Sequence, residues 1–584
     1  MANEPHFPGF KLPTHPTLKK SRETQGFFTP VEDLIAQVHS VLPMRVLPII
    51  FLPGIMGSNL RMTAERQKQM GRKANIAWRP DSIAEAERLL RGNAAMRQTQ
   101  LDPQTTEVDV YDPLRNPTGD VNETADTRHD VIKVKHNLPL EVGINSPLLM
   151  DDPITARPRK SKAQKARERG WGEVFYKSYQ TILEMCEQRL NTAFSGGKLD
   201  SWWTNIVNVP PIEWQAHSQP NLSPLDESAL RKAVTNCWFP VHAMGYNWLE
   251  SNRRSGIRVA ERINHLIRQY QDQGFRCEKV IIVTHSMGGL VARALIHPKI
   301  GNMNEKVLGV VHGVMPAIGA GAAYKRMRCG FEDPGLVSLS PIASVTAKVL
   351  GNFGPEVTAV LGNAPGGLEL LPSQAYGNNW LRVTHRGKTL KSLPKNADPY
   401  EEIYKLRGKW FGLLREEWIN PAETEFGSSF ENTCAHLDQA KAFHNEIACT
   451  YHDNSFAHYG ADLKRAAWHK VVWDIAGDAE IANVEALKIV SDDGQGSLCL
   501  IAPGVQPSSC AAGPKFMARM QGPCDAGDQT VPLHSAEHQL QSGKFRGVFR
   551  QSGYEHQDSY KDDRALRSTL YSLVQIAQRM TWAE

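Results

Sequence analysis

Ser286 stands in the run Thr284-His285-Ser286-Met287-Gly288-Gly289, directly after the apolar stretch Lys279-Val280-Ile281-Ile282-Val283. The apolar residues that follow, Leu290 to Ile296, predict a helix stopped by Pro298. A serine on a sharp turn from strand to helix is presented at the top of a sheet, and small residues around it let helix and strand come close. The usual pattern is G-x-S-x-G; here Thr284 replaces its first glycine, while Gly288 and Gly289 remain. A serine hydroxyl is a weak nucleophile until an adjacent base, oriented by an acid, takes its proton. In the fold that uses this turn the chain order is serine, acid, histidine. Asp528 lies in Gly527-Asp528-Gln529-Thr530-Val531-Pro532, a glycine-led turn after a strand predicted over Phe516–Met520. His556 comes 28 residues later, after a strand predicted over Phe545–Phe549 and before the last helix. Asp525 is the rival acid, but its neighbours Pro523 and Cys524 form no comparable turn. His285, His312, His452 and His458 are read as structural or surface residues. His285 adjoins Ser286, so its side chain is expected to point elsewhere.

Attack on an ester carbonyl creates an oxyanion, which needs preorganised N–H donors. One is the amide after the nucleophile, Met287. The other is expected from Leu52-Pro53-Gly54-Ile55-Met56-Gly57-Ser58, at Ile55 or, as the close rival, Met56. An ordinary strand-exit turn explains those glycines alone. It does not explain why loop, serine turn, aspartate turn and histidine loop follow one another in the required order. This chemistry requires neither metal nor cofactor.

These residues need a scaffold. Val46 to Leu52 (VLPIIFL) is a short apolar run ending in Pro53-Gly54, which predicts a buried parallel strand and a tight turn. Apolar residues spaced by threes and fours from Gly256 to Tyr270 predict an amphipathic helix closed by Gly274. Val307 to Val311 predicts the next strand. Helix, strand, turn, helix and strand in this order give a mostly parallel sheet covered on both faces, the α/β-hydrolase class. The organisation predicted is an N-terminal extension over 1–40, a core from 41–60 and 240–335, and an insertion over 61–239. A cap or lid insertion over 336–470 follows, and then a C-terminal core part over 471–584. Tyr400 to Trp418 is expected to be helical in part, and Arg564 to Met580 to form the final amphipathic helix.

The quoted motifs, with Gly245-Tyr246-Asn247-Trp248 and Glu555-His556-Gln557, resemble the lecithin:cholesterol acyltransferase-type lipases. The chain is especially similar to one bacterial branch, the type VI secretion lipase effectors (Tle family, third subfamily). Arg169 to Tyr179, His312 to Arg326, Gly366 to Ser373 and Ala397 to Tyr404 also carry that resemblance. It implies a serine ester hydrolase of phospholipase A type whose substrate is a membrane phospholipid. It also implies a cognate immunity protein, and loading through a type VI spike protein or an adaptor. The enzyme would be made in the cytoplasm and would act in the periplasm of a target bacterium. The alternatives are an acyltransferase or neutral-lipid esterase with the same triad, and a non-catalytic binding module built on the same fold.

Composition agrees with a globular enzyme: 584 residues, 41% hydrophobic and 22% charged. A net charge of +5 is too small for a nucleic-acid binder of this size. Seven basic residues against Glu168 crowd the stretch from Arg157 to Arg169, either a solvated loop or a contact for anionic headgroups. The first twenty residues lack the basic and apolar regions of a signal peptide, and no apolar stretch is long enough to span a bilayer. Nine cysteines without a C-x-x-C pair predict free thiols. Leu336 to Leu361, nearly uncharged, is read as a lid. The cluster of Trp202, Trp203 and Trp214 is read as buried packing, with an interfacial contact as its rival.

Overall fold

Apolar runs such as Val280-Ile281-Ile282-Val283 have no polar face because both faces of their sheet are covered. Ile50, Leu52, Val280, Ile282 and Val310 join one core, and Ile49, Phe51, Ile281, Val283 and Val311 join the core on the other face. Alternate side chains of a strand point to opposite faces, so an uninterrupted run feeds both layers. In this computed structural model the described residues are 15–16, 22–26, 37–41, 43–72, 74–81, 88–89, 91–110, 141–217, 221–331, 350–424, 427–504 and 515–582.

Six parallel strands form the central sheet, in the spatial order Val241–Ala243, Ile49–Leu52, Val280–His285, Val307–Gly313, Ser455–Gly460 and Phe545–Gln551. The helices Tyr176–Asn191 and Asp563–Ala577 supply buried side chains to one face. The helices Asn252–Asp272 and Gly288–Ile296 cover the other. Ser251 caps the first of these by accepting from the Arg254 amide, and Gly274 (φ +85°) follows its end. A helix-terminating left-handed residue of this kind costs glycine little.

The domain boundaries differ from those expected. Ser455–Gly460, inside the range assigned to a cap, is a central strand of the main sheet. Tyr176–Asn191, inside the range assigned to an insertion, packs directly on that sheet. Strands over 471–520 belong to a second six-stranded sheet rather than to the hydrolase core, in the order Lys388–Leu393, Leu381–His385, Val471–Ala476, Lys515–Met520, Ser497–Ile501, Lys488–Asp492. Its inner face joins the main core through Val383, Trp473, Leu500 and Phe516. It is tied down at the edge, where Asp492 meets the buried Arg328 guanidinium at 2.8 Å. Between Tyr400 and Trp418 only the turns Tyr400–Tyr404 and Glu416–Trp418 are helical.

Of the expected lid, 336–349 lie outside the described residues. The helix Gly354–Leu361 is core, not lid, with Val357 and Val360 fully buried. The basic stretch is no bare loop. Ser161 caps the helix Lys162–Glu168, Lys160 pairs with Glu168, and Arg169 pairs with the buried Glu187 at 2.9 Å. Trp203 and Trp214 are fully buried. The eight cysteines among the described residues are unbridged.

Candidate active site

The strand Val280–His285 delivers Ser286 at its C-terminal end, with φ +53°, and the helix Gly288–Ile296 starts two residues later. A non-glycine residue held there costs on the order of 1–3 kcal/mol, which the surrounding structure must sustain. It does so through hydrogen bonds: the Ser286 amide donates to the Gly313 carbonyl at 2.9 Å, and the Gly289 amide donates to the Ser286 carbonyl at 2.9 Å. Gly288 is required for close approach, because a Cβ there would lie 2.5 Å from the Leu52 carbonyl oxygen. Thr284 is fully buried in the strand, and its carbonyl accepts from the Tyr560 hydroxyl at 2.8 Å.

Ser286 Oγ lies 2.8 Å from His556 Nε2, and His556 Nδ1 lies 2.9 Å from Asp528 Oδ2. A carboxylate only accepts, so Nδ1 carries the proton and Nε2 presents its lone pair to the serine hydroxyl. Asp528 is held in turn. Its Oδ1 accepts from the amides of Val531 at 2.7 Å and Thr530 at 3.2 Å, and its carbonyl accepts from the His556 amide at 2.9 Å. The rival Asp525 is turned away from His556. Its Oδ2 accepts from the Lys470 amide at 3.2 Å, and Oδ1 sits 3.9 Å from His469. Gly460, at the end of the central strand, packs against Asp528: a Cβ there would meet the Asp528 Cβ at 2.7 Å.

The loop after Ile49–Leu52 lies against the serine, where a Cβ on Gly54 would stand 3.0 Å from Ser286 Cβ. Three side chains that the spacing of residues could not reveal fix this loop. The Tyr246 hydroxyl donates to the Pro53 carbonyl at 2.7 Å, Trp78 Nε1 donates to the Met56 carbonyl at 2.8 Å, and the Gly54 amide donates to the Tyr179 hydroxyl at 3.1 Å. Trp248 packs edge-on against Trp78 at 5.4 Å, so Tyr246 and Trp248 of the Gly245–Trp248 motif both support the loop. Among the described residues, no group accepts from the amides of Ile55, Met56 or Met287. Met287 is thus available as one oxyanion donor, with Ile55 and Met56 as alternative second donors.

His285, His312 and His458 are buried, and burial holds their imidazoles down at about 3, about 3 and about 4, so they are neutral. His452 Nε2 donates to the Val307 carbonyl at 3.0 Å, and its Nδ1 accepts from the Asn454 amide at 3.1 Å. None of these four contacts Ser286 Oγ. The arrangement can do one kind of chemistry readily: proton transfer from a serine hydroxyl to an oriented imidazole, beside backbone amides that have no acceptor among the described residues.

Residues 256–317 match the PGAP1-like alpha/beta domain family, over the segment that contains the serine turn. No curated protein matches the sequence. Among solved structures, a chain of the crystal structure of the Tle4–Tli4 complex is similar, at 31% identity and a TM-score of 0.69. That similarity covers 92% of this chain and 99% of the other.

Proposed function

We propose, on the premise that this chain belongs to the Tle family of type VI secretion lipase effectors, that it hydrolyses acyl esters of membrane phospholipids as an antibacterial effector. The segments quoted from the sequence resemble the third subfamily, while the matched structure is Tle4; the family, not the subfamily, is the premise. Ser286, His556 and Asp528 are assigned as nucleophile, base and orienting acid. What supports this is the unbroken hydrogen-bonded line from Asp528 through His556 to Ser286 Oγ.

In the mechanism, His556 takes the proton of Ser286 as its Oγ attacks the ester carbonyl. The new C–O⁻ is met by the Met287 amide and by that of Ile55 or Met56. Collapse expels the alcohol, which takes the proton from His556, and leaves an acyl-serine. Water, deprotonated by His556, then releases the fatty acid and restores Ser286. An alcohol in place of that water would make the product a new ester, the transferase alternative. The Tle4–Tli4 pairing favours a cognate binding partner, and we assign that role to an immunity protein that blocks the enzyme. Delivery is assigned to a type VI spike protein or adaptor, and the place of action to the periplasm of the target cell.

Paired expression tests the effector role. The protein should be harmless in the bacterial cytoplasm and lethal when fused to a periplasmic signal. Ser286→Ala, or co-expression of the neighbouring gene product, should abolish the killing. Equal harmlessness in both compartments, with purified protein that cleaves phospholipid, would end the effector role and leave the hydrolase.

A further inference from the structure

His285 is buried beside the nucleophile, and both of its ring nitrogens end on active-site loops. Nε2 lies 2.9 Å from the backbone carbonyl of His556, and Nδ1 lies 3.1 Å from the Tyr179 hydroxyl. A carbonyl only accepts, so Nε2 carries the proton and Nδ1 must accept. The Tyr179 hydroxyl therefore gives its one proton to His285, and its lone pair receives the Gly54 amide at 3.1 Å. The protons then all point one way: Gly54 N–H to Tyr179, Tyr179 O–H to His285 Nδ1, His285 Nε2–H to the His556 carbonyl. A protonated imidazole would make the Tyr179 oxygen accept from both Nδ1–H and the Gly54 amide and turn its own proton away from His285. Burial, with the His556 ring 5.1 Å away, keeps His285 neutral.

We propose that His285 and Tyr179 are positioning residues that hold the oxyanion loop and the His556 loop in register with Ser286. The proposal rests on the hydrolase reading of Ser286. An ordinary core histidine would bond to whatever backbone lies nearest. This one bridges the carbonyl of the base itself and, through one hydroxyl, the loop that packs on Ser286 Cβ. The contact at Gly54 is tight as well, since a Cβ there would stand 2.9 Å from His285 Nδ1. Tyr179 comes from the helix Tyr176–Asn191, so a segment outside the hydrolase motifs helps to set the catalytic geometry.

The test compares full-length wild type, His285→Leu, His285→Gln and Tyr179→Phe. The readouts are the rate of fluorophosphonate labelling at Ser286, and kcat and KM on a soluble short-chain ester. His285→Leu should lower the labelling rate and kcat about 10²-fold, the cost of misplacing reacting groups by about 1 Å. KM should stay within about twofold, because substrate binding is untouched. His285→Gln can donate an amide N–H to the same carbonyl and should recover most of the loss. Tyr179→Phe should lower both rates roughly tenfold, the worth of about one hydrogen bond. Equal losses in the Leu and Gln variants, a loss confined to KM, or unchanged rates with a lowered melting temperature would overturn the positioning role. If His285→Leu does not fold, Tyr179→Phe decides alone, and an unchanged rate overturns the proposal. Wild type that is not labelled at Ser286 would instead sink the hydrolase reading, so the two failures are distinct.

Discussion

Ser286→Ala should fold like the wild type and lose about 10⁶ in kcat on any ester, the scale seen when a triad nucleophile is removed. The fold is indifferent to the change because, among the described residues, Oγ makes one hydrogen bond, with His556, and the bonds that hold the turn belong to the Ser286 backbone. Alanine meets the same cost at φ +53° as serine does. What remains is the oxyanion amides and substrate binding, which alone give a small residual rate. Turnover of a short-chain ester beside a thermal melt checks this. A folded variant that kept a tenth of the activity would place the nucleophile elsewhere.

The second large effect separates two aspartates three positions apart. Asp528→Asn should lower kcat about 10⁴-fold. An asparagine can keep its oxygen on the Val531 and Thr530 amides, which leaves its NH₂ facing His556 Nδ1. Two donors cannot share that contact, so the imidazole must take the other tautomer, with Nε2–H pointing at Ser286 and no lone pair to accept its proton. Asp525→Asn should change kcat little, since its carboxylate serves the Lys470 amide and His469 rather than His556. The reverse ranking of the two variants would move the acid to Asp525.

What could be read from the sequence follows from which interactions are local. The serine turn, the aspartate turn and the strands with uninterrupted apolar runs are stretches whose own residues dictate their geometry. The central strand Ser455–Gly460 escaped because Ser455, His458 and Gly460 break the apolar run. The Ser455 hydroxyl is satisfied inside the core, where its Oγ donates to the His452 carbonyl at 2.7 Å. Phe516–Met520 was legible as a strand but not as part of a second sheet, because its pairing with Val471–Ala476, more than forty residues away, leaves no mark on spacing. For the same reason Asp528 could be found by its turn, but the strand that supports it could not. Tyr179, Tyr246 and Trp78 reach the oxyanion loop across long stretches of chain; Tyr179 and Tyr246 lie in segments that carry the family resemblance, but nothing in their spacing points them at this loop. The charge-rich stretch misled in another way, since the acids that neutralise it include Asp152 and Glu187, outside the window where charge was counted.

The central claim is that Ser286 cleaves acyl esters of membrane phospholipid, and lipid mass spectrometry tests it most directly. Purified wild type and Ser286→Ala would be incubated with vesicles of phosphatidylethanolamine and phosphatidylglycerol. Wild type should release free fatty acid and lysophospholipid in equal amounts, and Ser286→Ala should leave the lipids intact. Intact phospholipid with the wild-type protein, or identical products from both proteins, would contradict the claim.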